Sequence, residues 1–240
     1  MECGLKKISG FDINPLAILI SKVKYTPLSL DKLEEEKQIL RNNIFEFLKN
    51  EKKIQTLEKP VITNIDFWFS KETISNLSII KHFINQIENI DTRNFFLLPF
   101  SETVRDCSYT RNNEFKLYRM KEEDVLNFNP DVIGVYFKYL NDIYAYYKNF
   151  YLPKLSKNVK ANFQNNTFQA KNEYYDIVLT SPPYGDSRTT VAYGQFSTLS
   201  NERALSNKSM PSRNSPTNKT GKTVNTMLYE YIVVCENLVA

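Results

Sequence analysis

Tyr174-Tyr175-Asp176-Ile177-Val178-Leu179-Thr180-Ser181-Pro182-Pro183-Tyr184-Gly185 is the stretch around which the rest of the chain is organised. The aromatic and β-branched run from 174 to 179 reads as a buried strand. Two successive prolines then forbid continuation as strand or helix, because neither carries an N–H and both fix φ. The strand is therefore expected to stop at Ser181. A hydroxyl, two prolyl carbonyls and an aromatic ring are left on a rigid turn at a strand's C-terminal edge, which is where open α/β sheets place ligands.

Outward toward the N-terminus, residues 8–11 form a short candidate strand that ends in the acidic Asp12. Asn14 is a good helix N-cap and Pro15 a good first helical residue, ahead of an apolar face of Leu16, Leu19, Ile20 and Val23. Strand, acid, cap and helix is the order found at the second strand of a Rossmann-like sheet, where a carboxylate accepts hydrogen bonds from ribose hydroxyls. The plainer reading of Asp12 is a residue that closes a strand or helps to cap the helix.

The stretch from Thr180 to Tyr184 resembles motif IV of the amino-group DNA methyltransferases, which methylate the exocyclic N4 of cytosine or N6 of adenine. The Ser-Pro-Pro-Tyr form is most often the N4-cytosine one. Gly10-Phe11-Asp12-Ile13-Asn14-Pro15-Leu16-Ala17 resembles motif II of the same enzymes, and the two stand in a compatible order. The resemblance implies an α/β fold with a Rossmann-like S-adenosylmethionine-dependent methyltransferase sheet and double-stranded DNA as partner. It implies that Ser181, Pro182, Pro183 and Tyr184 are catalytic, and that Asp12, Asn14, Pro15 and Thr180 lie at the cofactor, S-adenosyl-L-methionine.

The chemistry suits these residue types. An exocyclic amine is a poor nucleophile because its lone pair is delocalised into the ring, and the Ser181 hydroxyl and Pro182 carbonyl can accept hydrogen bonds from it. A base inside a duplex cannot reach such a pocket, so it must be flipped out, and Tyr184 is suited to stack on its face. No cysteine sits in the stretch, which argues against attack at ring carbon 5. The residues that follow, 185–197, resemble the loop found after motif IV in a subgroup of these enzymes, with Arg188 a candidate DNA contact.

The resemblance also exposes gaps. A glycine-rich turn, motif I, is expected before motif II to hold the methionine part of the cofactor, and Cys3-Gly4 is not that turn. The sheet is thus expected to be incomplete and the chain truncated at both ends, through late translation, gene damage or a complementary polypeptide that supplies the turn. Near residues 163–170 the family often has an acid close to the cofactor's adenine, where this chain has Asn165 and Asn166.

The organisation expected is a partial catalytic domain at 1–28, a largely helical insertion at 29–155 and a second partial catalytic domain at 156–240. An amphipathic pattern from 30 to about 59 carries Leu33, Leu40, Ile44, Phe45, Leu48 and Ile54, with Glu34-Glu35-Glu36 as a solvated face. Helices follow at 71–90, at 91–108 with Asp91 as its cap, and at 131–150 with a stripe of Val132, Val135, Tyr136, Leu140, Ile143 and Tyr147. Tyr144, Tyr146, Phe150 and Tyr151 are read as core, with base stacking as the competing reading. Arg105, Arg111 and Lys116 are candidate phosphate contacts, or else an ordinary ion-paired surface, since Asp106 and Glu114 are interleaved. Residues 201–223 read as a basic loop and 227–239 as an apolar helix or strand.

Composition limits the alternatives. A 240-residue chain with 42% hydrophobic residues and a formal charge of +4 is a globular protein whose mild basicity permits a polyanionic partner. Three widely spaced cysteines and one histidine, His82, give no metal-ligand spacing, so no metal is expected. No apolar run reaches membrane-spanning length, and a cytoplasmic protein is expected. The leading expectation is a restriction-modification methyltransferase for N4 of cytosine. N6 of adenine, an RNA base, a non-catalytic DNA-binding remnant and one subunit of a split enzyme stay open.

Overall fold

The computed structural model describes residues 7–50, 57, 64–111, 118–155, 159–165, 175, 177–180, 198–201 and 232–236. Strand β1 (Lys7–Phe11) leads into helix α1 (Pro15–Tyr25), and Asn14 caps α1 by accepting a hydrogen bond from the Leu16 N–H at 3.0 Å. The expected strand, cap and proline all fall where the sequence puts them. Leu19 and Val23 are buried as expected, joined by Ile18, whereas Ile20 lines an open groove.

The helices that follow are α2 (Leu30–Leu48), α3 (Ile65–Trp68), α4 (Lys71–Asn85), α5 (Ile90–Asp106), α6 (Glu122–Asn127) and α7 (Val132–Tyr146). A π-helical turn, Tyr147–Tyr151, and a 3-10 turn, Leu152–Lys154, continue α7. Apart from α6, these elements share one hydrophobic cluster that includes Leu77, Ile80, Phe95, Phe96, Phe100 and Tyr136, and Leu19 and Val23 of α1 belong to it. Tyr147 ties the parts together. Its ring meets Phe95, while its buried hydroxyl donates to the Thr26 carbonyl and accepts from the Leu28 N–H, each at 2.7 Å, fixing the link between α1 and α2.

The cap of α5 differs from the expectation. Asn89, not Asp91, accepts from the N–H groups of Asp91 and Thr92, so the helix begins one residue before the expected cap. An Asn at this position has the side-chain length to reach two orphan donors at once. Asn89→Ala is expected to cost about 1 kcal/mol in thermal or urea denaturation, with Asp91→Ala well below that.

The chain then enters β2 (Lys160–Gln164), β3 (Ile177–Thr180), the single turn α8 (Thr198–Ser200) and β4 (Ile232–Glu236). The sheet runs in the order β2-β1-β4-β3, with β1 and β2 parallel and β4 antiparallel to both β1 and β3. The apolar segment near the C-terminus is therefore a strand, and the sheet is mixed rather than wholly parallel. Among the described residues β3 is an edge strand. This corrects its reading as buried: Ile177, Val178 and Leu179 are 43%, 50% and 65% exposed. Hydrophobic content marked them as strand-formers, but burial depends on what lies over the strand, and no described helix packs on it.

Gly10 stands level with Phe163 across the β1–β2 pair, and Phe163 is buried against it. A Cβ on Gly10 would meet the Phe163 ring at 2.6 Å, closer than any real contact. Gly10→Ala is therefore expected to lose roughly 2 kcal/mol of stability through overpacking, read as a lower denaturation midpoint at unchanged slope.

Candidate functional site

The site begins at Asp12, which follows the last residue of β1. Its side chain is only 5% exposed, and Oδ1 accepts a hydrogen bond from the Asn14 N–H at 2.7 Å. No described residue donates to Oδ2. Burial pushes the Asp12 carboxyl above its ordinary range, and the Asn14 N–H pulls partly back. A half-satisfied buried carboxyl at the end of a strand has an acceptor to offer a hydroxyl-bearing ligand.

Two asparagines surround this corner. Asn165, just past β2, donates from Nδ2 to the Asp12 carbonyl at 2.9 Å. Asn201, just past α8, donates to Asn14 Oδ1 at 3.1 Å, while Ser200 donates to the Ser101 carbonyl at 2.7 Å and Leu199 is buried. Asn165 takes a backbone role where the family often has an acid beside the adenine. Asn201 is invisible to sequence reading, since nothing local marks a polar residue before a basic loop as a clamp on a helix cap 187 positions away.

The β-sheet register supplies the geometry. Phe11 and Thr180 both pair with Ile232, one from each side of β4, so the C-terminal ends of β1 and β3 lie level on the same edge of the sheet. With one strand between them, the two ends stand roughly 10 Å apart. Gln164, at the end of β2, is level with Phe11 on the other side. Asp12, Asn165 and Thr180 thus stand at one edge of the sheet.

Ser181, Pro182, Pro183, Tyr184 and Arg188 lie outside the described residues, as does Lys116. On either side of the first five, Thr180 ends at the sheet edge level with Phe11 and Asn201 bonds the cap beside Asp12. Pro15 holds the first helical position of α1 as expected. Thr180 is the last residue of β3.

The remaining candidates divide. Arg105 is held by Glu102 at 3.2 Å and Asp106 at 3.5 Å, which is the ion-paired surface reading, whereas Arg111 is exposed. No described contact joins either to the Asp12 corner. Arg119, in the same basic stretch as Lys116, lies across the Phe67 ring at 4.7 Å and donates to the Phe67 carbonyl and the Glu122 carboxylate. Cys107 is buried with its thiol pushed up to about 12, first by burial, which leaves it no nucleophilic thiolate at neutral pH. Among the described residues no cluster of His, Cys, Asp and Glu could hold a metal, and no helix is long and apolar enough to cross a membrane.

No protein-family model matches the chain, and no solved structure does. Among curated proteins the chain is similar to the Type II methyltransferase M.MvaI of Kocuria varians, at 44% identity over 205 residues that make up 81% of this chain. That match spans 45% of the relative, so the chain corresponds to about half the length of the methyltransferase to which it is similar.

Proposed function

We propose that these residues form the cofactor and target-base face of a site-specific DNA methyltransferase of the restriction-modification type, acting on N4 of cytosine in duplex DNA. The observation that carries this reading is the common sheet edge, where β1 ends before Asp12 and β3 ends at Thr180 with one strand between them. That edge is the ligand side of an open α/β sheet. The resemblance to a Type II methyltransferase supports the same chemistry.

In this reading Asp12 accepts hydrogen bonds from the ribose hydroxyls of S-adenosyl-L-methionine, with Asn14, Pro15 and Thr180 shaping the corner. The cofactor supplies a methyl group already activated on a sulfonium. Ser181 and the Pro182 carbonyl accept from the amine of the flipped base and turn its lone pair toward that methyl. Positioning is then the main source of acceleration. Pro183 stiffens the turn, and Tyr184 stacks on the base. Arg188, Arg111 and Lys116 are placed on DNA phosphates, with Arg105 already engaged by two carboxylates. The organisation is a catalytic part built from 1–28 and 156–240 around a helical body at 29–155.

The test is incubation with labelled S-adenosyl-L-methionine and mixed-sequence duplex DNA, followed by digestion and mass analysis of the nucleosides. N4-methylcytosine is the expected product. N6-methyladenine would move the reading to the sister chemistry, and cofactor binding without any methylated nucleoside would leave a binding remnant.

A further inference from the structure

We propose that the open groove between α1 and the turns after α7 is a second nucleic-acid contact, one that takes an unpaired DNA strand. This rests on DNA being the chain's partner, as argued above, and it locates a surface that none of the motif residues occupies. The groove has a volume of about 560 Å³ and is lined by Ala17, Ile20, Lys24, Tyr25, Tyr151 and Lys154, among others.

Charge is the first argument. The lining holds two lysines, Lys24 and Lys154, and the described residues around it, 13–30 and 143–155, add Lys22 and Lys148 with no aspartate or glutamate. No lining residue is acidic. A polyanion is the complementary partner.

The second argument is aromatic and corrects the expectation from sequence. Tyr146 and Phe150 were expected in the core, yet they are 58% and 53% exposed, with ring centroids 4.7 Å apart. Tyr147 continues the buried stripe of Val132, Tyr136 and Leu140, whereas Tyr146 stands one position before it, off that stripe, and Phe150 is exposed on the π-helical turn. Tyr151, which lines the groove, has Lys24 Nζ 5.4 Å from its ring centre and lies 6.1 Å from Tyr146, so the two exposed rings adjoin the groove at Tyr151. Exposed rings interleaved with lysines serve unstacked bases and their phosphates, whereas paired bases offer no free face. Ala17 stands one helical turn from the Asn14 cap, so the groove opens beside the Asp12 corner.

The experiment measures binding of the 240-residue chain to a fluorescein-labelled 20-nucleotide oligo-dT and to a 20-base-pair duplex across a salt series. Wild type is expected to bind both. Tyr146→Ser/Phe150→Ser is expected to weaken oligo-dT binding at least tenfold with little change on duplex. Lys24→Gln/Lys154→Gln is expected to reduce the oligo-dT salt slope by about 1.4. Circular dichroism and melting checks that the variants are folded, and light scattering measures association. Unchanged oligo-dT binding in both variants overturns the proposal, as does an equal loss on duplex. So does a dimer that the aromatic variant abolishes, which assigns the face to a second copy. A wild type that binds only duplex overturns the groove and leaves the methyltransferase reading standing; one that binds neither overturns both.

Discussion

Ser181→Ala is expected to lower methyl transfer to DNA by about 10²- to 10³-fold, the usual loss when one preorganised polar partner is removed from a reacting centre. The reason lies in the nitrogen. In the ground state the amine's lone pair is spread into the ring, so acceptors aimed at its hydrogens stabilise mainly the transition state, where the nitrogen becomes pyramidal. The loss should therefore appear in kcat with little change in KM for either substrate. Ser181→Thr keeps the acceptor and should retain more activity than alanine. Transfer unchanged in Ser181→Ala would remove this hydroxyl from the chemistry.

Asp12→Ala is expected to weaken S-adenosyl-L-methionine binding by about 10²-fold, from the loss of two hydrogen bonds to a carboxylate at ~1.5 kcal/mol each. Stability should move the other way. Burial raises the Asp12 carboxyl above its ordinary value of 3.8, so the folded chain holds that proton more tightly than the unfolded chain does. Its contribution to stability is then complete below the ordinary value and is lost as pH rises through the raised one. Asp12→Asn, which carries no such charge, should melt with a flatter pH dependence across that window and at a higher temperature than wild type at neutral pH. A residue that weakens folding while it strengthens ligand binding belongs to a site. If Asp12→Asn lowers the melting temperature at neutral pH and leaves cofactor affinity unchanged, Asp12 is only a strand closer.

The local elements were legible in the sequence because each is set by residues close together in it. Asn14 and Pro15 are a cap and a first-turn proline whatever the rest of the chain does, and α1 begins there. Val132, Tyr136, Leu140 and Tyr147 keep helical spacing, and all four are buried. The misreadings arose where neighbours decide. Ile177, Val178 and Leu179 have the composition of an interior strand, but among the described residues they pair with β4 only, and they are exposed. Tyr146 and Phe150 continue an apolar helix in sequence, yet both stand beside the buried stripe that ends in Tyr147 and stay exposed.

By itself the sequence determined the two motifs, their order, the acid at the end of a strand and the proline stop, since all of these follow from the covalent and hydrogen-bonding properties of adjacent residues. Only the tertiary structure decided that β1 and β3 end on one edge. That required Phe11 and Thr180 to meet the same residue, Ile232, from opposite sides, and Asn201 to reach the Asn14 cap. Contacts between residues so far apart in the chain leave no periodicity in it, because register is set by the pairing of strands and not by any one of them.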